Sequence, residues 1–119
     1  MFEIRRKFTI SASHFMPGDP GPCGQMHGHN FDITVAFRGQ REPTGMVINA
    51  LAIDDGIASF KRLHDHRVLN ETMAPELPTI ESLAFTAFRH FVRGWQETAW
   101  VEVDEGLGIS CRYEPGVPQ

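Results

Sequence analysis

Alternating hydrophobic positions near the N-terminus predict two long strands. Hydrophobic residues occupy mostly even positions from Phe2 to Ala12, and this period of two predicts a half-buried strand over about residues 2–13. From Phe31 to Phe37 the hydrophobic residues occupy odd positions and predict a second strand. Because side chains two apart lie on the same face of a strand, residues that continue either pattern also face the core.

A helical period replaces the strand period in the middle of the chain. Hydrophobic residues recur every three or four positions over about residues 50–63, with Asn49 as a candidate N-cap and Gly56 as a local weakness. A second and clearer helical pattern follows Thr79 and ends at Gly94.

Two short strands complete the pattern. Alternation from Ala99 to Glu105 predicts a third strand, and alternation from Ile109 to Tyr113 predicts a fourth after a turn at residues 106–108. The order β-β-α-α-β-β favours an α+β fold, with a four-stranded antiparallel sheet and two helices on one face. Such a sheet exposes two edges, which a closed ring of several copies would remove.

Composition narrows the class of protein without identifying a function. With 41% hydrophobic and 22% charged residues and no linker or repeat, residues 1–119 are expected to form a single globular domain. A net charge of -4 predicts no nucleic-acid or membrane partner, and basic runs such as Lys61-Arg62 are more often solvated faces than anion pockets. Without a signal peptide or long hydrophobic run, and with only two cysteines, we expect a cytoplasmic protein with free thiols.

Three histidines continue the inward faces of the first two strands. His14 follows the even pattern, and His27 and His29 precede the odd one, so three imidazoles can converge on one ion. Neutral imidazole suits zinc, and three ligands with one open position are typical of a catalytic zinc site. Cys23, four residues before His27, is either a fourth ligand that closes the site or a thiolate base or nucleophile beside the ion.

A second polar segment, residues 63–70, follows the first predicted helix. Asp65 could orient His66 for proton transfer near neutral pH, although an isolated Asp-His pair is more often structural. His64 and His66 could also bind a metal as His-x-His and compete with the other histidines for it. His90 has no partner at useful spacing and is expected to be structural.

Glu105 continues the inward face of Val101 and Val103, so its carboxylate needs hydrogen-bond donors. A ligand with two adjacent N–H groups would satisfy both oxygens. A strand-end carboxylate turned to solvent, or paired with an arginine of its own chain, is equally compatible with the residues. Cys111, on the inward side of the last strand, is interpreted as a small hydrophobic core residue.

The succession of these motifs resembles the family of 6-pyruvoyltetrahydropterin and 6-carboxytetrahydropterin synthases. The matching pieces are, in order, Phe8-x3-Ala12-x-His14, Cys23-x3-His27-Gly28-His29-Asn30-Phe31, Gly45-Met46-Val47, Asp65-His66-x2-Leu69-Asn70, Pro78-Thr79-x-Glu81 and Glu105. Each piece alone is weak, but six in order over nearly the whole chain make a strong match.

The resemblance implies a fold, an assembly and a set of roles. The fold is the tunnelling fold (T-fold), assembled as trimeric barrels that stack into homohexamers with active sites at subunit interfaces. The implied roles are Zn²⁺ ligands at His14, His27 and His29, a catalytic thiol at Cys23, a proton-relaying pair at Asp65 and His66, a pterin anchor at Glu105, and a secondary pterin contact at Thr79, which is also a candidate N-cap.

The resemblance also implies the substrate, 7,8-dihydroneopterin triphosphate, and two possible outcomes. A 6-carboxytetrahydropterin synthase, of the kind used in queuosine biosynthesis, releases triphosphate and acetaldehyde, whereas a 6-pyruvoyltetrahydropterin synthase stops after triphosphate elimination and internal redox. The Cys-x3-His spacing favours the first enzyme, and Gly45-Met46-Val47-x-Asn49 is closer to the second. We favour the carboxytetrahydropterin product. A third hypothesis, a non-catalytic pterin- or metal-binding module, does not account for the intact proton-transfer residues.

Overall fold

The computed structural model describes residues 1–116, which contain four strands in one antiparallel sheet. The strands are β1 (Phe2–His14), β2 (His27–Gly39), β3 (Thr98–Asp104) and β4 (Ser110–Tyr113). They lie side by side in chain order, so that β1 and β4 form the two edges. The longest pairing joins β1 to β2 and ends with His14 opposite His27. The predicted four-stranded antiparallel sheet is confirmed.

In the described part of the chain, three helices connect β2 to β3. The two predicted helices are α1 (Ile53–His64) and α3 (Ile80–Gly94), and between them lies α2 (Leu69–Thr72), which the periodicity did not predict. A 3-10 turn at Pro22–Gly24 was also not predicted. Both pieces are too short to repeat a hydrophobic pattern. None of the helices among the described residues is long and apolar enough to cross a membrane.

One face of the sheet is buried beneath α1 and α3. Alternate residues of the sheet pack with both helices in one core, whose fully buried members include Ile10, Phe31, Val101, Phe60 and Phe91. Burial of each such side chain contributes about 1.5–3 kcal/mol. The alternation that predicted the strands thus also identified the face that the helices cover.

The other face of the sheet is polar. There Glu3 accepts hydrogen bonds from the side chains of Arg5, Arg38 and Trp100, at 2.7 to 3.0 Å. Partial burial opposes ionisation of Glu3, but these hydrogen bonds outweigh it and lower the pKa of its carboxyl to about 2. This face therefore carries a network of ion pairs around Glu3 rather than a second hydrophobic core.

The start of α1 differs from the prediction. Asn49 is not the N-cap, because the helix begins at Ile53 and Ala52 occupies the capping position. The Asn49 side chain instead accepts a hydrogen bond from the N–H of Leu51 at 3.0 Å, within a turn that precedes the helix. The hydrophobic period does not register this turn, and it therefore placed the cap three residues too early.

Gly56 lies where α1 packs against α3. A Cβ atom at this position would lie 2.6 Å from the ring of Trp95 and 3.1 Å from that of Phe91, so glycine permits the close contact. We expect Gly56→Ala to destabilise the protein by about 1–3 kcal/mol despite the higher helix propensity of alanine, as measured by urea unfolding.

The matched control is Gly94→Ala, at the end of α3, where an added Cβ would meet nothing within 4 Å. This variant should stabilise the protein slightly, by up to about 1 kcal/mol, because helix propensity acts there without a clash. If Gly56→Ala stabilised the protein as much as helix propensity alone predicts, the packing explanation would be wrong.

Candidate active site

Three histidine rings meet where β1 ends and β2 begins. His14 lies opposite His27, and His29 lies opposite Ala12, in the register of the two strands. One ring nitrogen from each histidine lies within 4.8 Å of the other two, and no other group of three or more potential ligand residues is found among residues 1–116. The structure thus brings together the three imidazoles that continue the inward faces of these strands.

Backbone carbonyls orient two of these rings. His14 Nδ1 lies 2.7 Å from the carbonyl oxygen of Pro78, and His27 Nδ1 lies 2.7 Å from that of Gln25. A carbonyl oxygen only accepts hydrogen bonds, so each Nδ1 carries the proton and each Nε2 keeps a free lone pair. Burial also lowers the pKa of His14 and favours its neutral form. Both rings are therefore prepared to bind a metal through Nε2.

The histidines line a cavity of about 620 Å³. Its other lining residues are Met16, Pro22, Cys23, Thr79, Ile80, Glu81, Glu105, Leu107 and Ile109. Mostly apolar walls with a few polar groups are typical of a small-molecule site. The sequence pattern did not assign the apolar members or Glu81 to the site, although Glu81 belongs to the Pro78-Thr79-x-Glu81 motif.

Glu105 lies immediately after β3 and faces this cavity. Its Oε2 atom is 4.0 Å from His29 Nε2, and its side chain is only 15% exposed. Among the described residues no arginine pairs with this carboxylate, so pairing with an arginine of its own chain is not observed. The carboxylate is therefore available to a ligand in the cavity.

Cys23 lies in the 3-10 turn at the mouth of the cavity. Its carbonyl oxygen accepts a hydrogen bond from the N–H of Met16 at 2.6 Å, which closes the loop between β1 and β2. A Cβ atom at Gly24 would clash with the carbonyl oxygen of Asp19, so this tight loop requires glycine there. Cys23 is exposed and does not belong to the group of converging ligand atoms. The three-histidine group is open in this structure, and the alternative of Cys23 as a fourth ligand stays a prediction that the Cys23→Ala variant tests.

A side chain of α2 and the N-cap of α3 fix the neighbourhood of His14. Asn70 accepts a hydrogen bond from the N–H of Phe15 at 3.0 Å and donates one to its carbonyl oxygen at 2.9 Å. Thr79 caps α3 by accepting a hydrogen bond from the N–H of Ser82 at 3.1 Å, and it also lines the cavity. The predicted N-cap at Thr79 is confirmed. The clamp that Asn70 forms on the residue after His14 has no counterpart among the sequence predictions.

Asp65 and His66 form a hydrogen-bonded pair beside the edge of β1. Asp65 Oδ2 lies 3.0 Å from His66 Nδ1, while Oδ1 accepts a hydrogen bond from the N–H of Ser11 at 2.8 Å. Partial burial raises the pKa of Asp65, but these hydrogen bonds outweigh it and hold the pKa below its usual value. The carboxylate stays ionised and can orient the imidazole, whose ring is 81% exposed.

His66 lies at a cleft other than the histidine cavity, and His29 is the one described residue that borders both. His66 adopts a φ of 57° and lines a separate cleft of about 520 Å³. This cleft also includes Ser11 and Ser13, which alternate along β1 with the inward residues. Within one chain, His66 therefore does not line the cavity that contains Cys23.

His64 lines neither the histidine cavity nor the cleft of His66. Its ring is 4% exposed, packs against Phe60 with a centroid distance of 4.6 Å, and pairs through Nδ1 with Thr72 Oγ1 at 2.8 Å. Burial lowers the pKa of His64 to about 4. The expectation that His64 binds a metal with His66 is wrong because the His64 ring is buried in the helical layer.

His90 and Cys111 have structural surroundings. His90 Nε2 lies 3.0 Å from the carbonyl oxygen of Gly56 and 2.8 Å from Ser59 Oγ, so it joins α3 to α1. Cys111 is half-buried in β4, and burial together with the charge of Glu81 raises the pKa of its thiol. Both observations agree with the structural interpretation of these residues.

The fold and site define a small α+β protein with an open three-histidine group beside a thiol and a carboxylate. Residues 3–115 match the protein family described as 6-pyruvoyl tetrahydropterin synthase, and the chain belongs to this family. It is 31% identical to the 6-carboxy-5,6,7,8-tetrahydropterin synthase of Synechocystis over 120 residues, with 95% of this chain and 93% of that protein covered. The protein of the same name from Bacillus subtilis is 28% identical over 92 residues, or 73% of this chain and 63% of the relative.

Solved structures share the whole architecture. The 6-pyruvoyl tetrahydropterin synthase of Caenorhabditis elegans superposes with a TM-score of 0.87 at 22% identity, covering 97% of this chain and 96% of that one. The Plasmodium falciparum enzyme of that name gives a TM-score of 0.75 at 13% identity, with 98% of both chains covered. At these identities the likeness establishes the fold, which is the expected T-fold.

Proposed function

We propose that this protein is a zinc-dependent 6-carboxytetrahydropterin synthase that converts 7,8-dihydroneopterin triphosphate and releases triphosphate and acetaldehyde. The observation that carries the proposal is the open group of three histidines in one cavity with Cys23 and Glu105. The names of the Synechocystis and Bacillus subtilis relatives favour this product over 6-pyruvoyltetrahydropterin.

The three histidines fit a zinc ion. His14 and His27 each have one ring nitrogen protonated toward a backbone carbonyl, which leaves the other for the metal, and the group opens onto the cavity. Three neutral imidazoles with space for a further ligand form the donor set of a catalytic zinc site. When bound, zinc would supply Lewis-acid polarisation of oxygens on the substrate side chain.

Glu105 is proposed to anchor the pterin ring. Its largely shielded carboxylate can accept hydrogen bonds from the amino group and the adjacent ring N–H of a pterin, which form a guanidine-like edge. Ile80, Leu107 and Ile109 line the same cavity and offer apolar contacts to the faces of a flat ring. Such an arrangement would hold the pterin by one edge and leave its side chain near the histidines.

Cys23 and His66 are proposed to move protons on the substrate side chain. Cys23 has an exposed thiol in the histidine cavity, and Asp65 holds the exposed imidazole of His66 in a fixed tautomer. Because the two groups line different cavities within one chain, we infer that His66 serves the cavity of a neighbouring copy. One group can then remove a proton while the other returns one.

The exposed sheet edges support a closed assembly. β1 and β4 lie at the edges, and joining them between copies would pair backbone groups that a monomer leaves exposed. We propose that the chain forms trimeric rings that stack as hexamers, with each active site assembled from more than one chain. This arrangement accounts for the separation between Cys23 and His66.

The shared site predicts complementation between inactive variants. Cys23→Ala and His66→Ala should each lose turnover, but hexamers assembled from an equal mixture should regain roughly one quarter of the wild-type rate. This fraction follows because random mixing gives a site an intact thiol in half the cases and an intact imidazole in half. The measurement is turnover after the two variants are co-expressed with different affinity tags.

The matched control mixes Cys23→Ala with His27→Ala, since both changes affect the same cavity of the same chain. That mixture should regain no activity, because every cavity lacks either the thiol of Cys23 or the imidazole of His27. If Cys23→Ala and His66→Ala also failed to complement in mixed hexamers, the inference that His66 serves a neighbouring chain would be wrong.

The reaction itself is tested by the ratio of its two small products. The zinc-loaded protein should release triphosphate and acetaldehyde from 7,8-dihydroneopterin triphosphate in equal amounts, with acetaldehyde followed through alcohol dehydrogenase and NADH. Protein treated with a chelator should lose this activity and regain it with zinc. Release of triphosphate without acetaldehyde would instead favour the pyruvoyl product.

A further inference from the structure

A small cavity between α1 and α3 is lined by basic side chains. Its volume is about 160 Å³, and its lining residues are Leu63, His64, Thr86, Arg89, His90 and Arg93. None of these residues lines the cavity that contains Cys23. The lining contains two guanidinium groups, two imidazoles and a hydroxyl, but no carboxylate. The lining of this cavity is therefore locally cationic, although the chain has a net charge of -4.

His64 directs an unpaired ring nitrogen into this cavity. Its Nδ1 pairs with Thr72, while Nε2 has no hydrogen-bond partner among the described residues. Among the described residues, every buried side-chain nitrogen or oxygen has a hydrogen-bond partner. Because Nε2 of His64 has none, this atom is in contact with solvent. We place that contact in the cavity that His64 lines. When the Thr72 hydroxyl donates to Nδ1, Nε2 carries the proton of the neutral ring and can donate into the cavity.

The positive charges of Arg89 and Arg93 have no carboxylate partner among the described residues. They lie four residues apart on one face of α3, and neither forms an ion pair with a carboxylate of residues 1–116. A cation in the last helical turn interacts favourably with the helix dipole, which accounts for Arg93 but not for Arg89, five residues before the helix ends. The Arg89 guanidinium lies over the ring of Phe85 at 5.6 Å, which holds it while its N–H groups stay free.

We propose that this cavity binds the phosphoryl group of a small anion. The guanidinium groups of Arg89 and Arg93, the hydroxyl of Thr86 and the Nε2–H of His64 would donate hydrogen bonds to its oxygens. Guanidinium groups match the spacing of phosphate oxygens and form charge-assisted hydrogen bonds with them. The cavity has about a quarter of the volume of the histidine cavity, 160 against 620 Å³, and so suits one phosphoryl group rather than a pterin.

Inorganic phosphate is the probe for this site. Calorimetric titration of the zinc-loaded protein, at ionic strength held constant with sodium chloride, should show saturable binding. Arg89→Gln and Arg93→Gln should each weaken this binding by at least about tenfold, because each removes a charge-assisted hydrogen bond. Both arginines are exposed, so the variants should keep the wild-type melting temperature.

The matched control is Arg62→Gln, which removes an exposed cation of α1 that does not line the cavity. It should leave phosphate binding unchanged within twofold. Unchanged binding in Arg89→Gln would place the phosphate elsewhere, including at the zinc ion, and would overturn the proposal. Absence of saturable binding to the wild type would also overturn it.

A parallel titration with tripolyphosphate distinguishes two sources of the phosphoryl group. If inorganic phosphate binds but tripolyphosphate does not, and Arg89→Gln weakens the phosphate binding, the cavity is a site for the free ion. Tighter binding of tripolyphosphate with the same dependence supports a site for the terminal group of a longer chain. Because both titrations use the same variants, failure of the active-site assignment would not affect either result.

Discussion

Replacing His27 by alanine is expected to abolish turnover and to weaken zinc binding by more than roughly 100-fold. Loss of a residue that only supports a ligand already costs roughly 10–100-fold in metal affinity, and His27 is itself a proposed ligand. The change removes one of three converging ligands, and the two remaining imidazoles cannot complete a catalytic zinc site. His27 is more suitable than His14, which is 3% exposed and also belongs to the packed interior. The measurement is metal content after dialysis, with affinity determined against a competing chelator.

The control for this variant is His66→Ala. It also removes an imidazole, but one that is exposed and outside the ligand group, so its zinc content should equal that of the wild type. Zinc retained at wild-type affinity by His27→Ala would show that the three histidines do not form the metal site.

Replacing Cys23 by alanine is expected to lower kcat by about 10²–10⁴ while zinc remains bound. The thiol lines the histidine cavity but lies outside the ligand group, so its loss removes a proton-transfer group and leaves the metal ligands intact. The measurements are kcat and zinc content on the same preparation.

The matched control is Cys111→Ala, since Cys111 is half-buried in β4 and the pKa of its thiol is raised by burial. Its kcat should stay close to the wild-type value. Loss of zinc from Cys23→Ala would return Cys23 to the role of a ligand, and undiminished turnover would remove it from catalysis.

The features that could be predicted from sequence are those that repeat along the chain. Alternation in β1 and β2 identified the buried face, and its extension to His14, His27 and His29 correctly predicted that the three rings lie together. The helical period of α3 and its cap at Thr79 were predictable because both depend on residues three or four positions apart.

The features that the sequence pattern did not reveal depend on contacts between distant or irregular segments. Gly56 was interpreted as a weakness because helix propensity takes no account of the ring of Trp95 in another element. His64 pairs with a threonine that belongs to a helix too short to predict.

The position of His66 was also beyond prediction from the pattern. Its ring lies in the cleft beside β1 because its backbone adopts a positive φ and its N–H donates to the carbonyl oxygen of Ser11 at 2.6 Å. Neither feature has a periodic signature. The family resemblance assigned His66 a role, and the structure adds that His66 does not line the cavity of Cys23 within one chain.

The central claim is that the three-histidine cavity supports formation of 6-carboxytetrahydropterin. The most direct test is mass spectrometry of the pterin product after the zinc-loaded protein is incubated with 7,8-dihydroneopterin triphosphate. We predict the mass of 6-carboxytetrahydropterin, absent when the His27→Ala variant is used. Recovery of unchanged substrate, or of 6-pyruvoyltetrahydropterin alone, would contradict the claim.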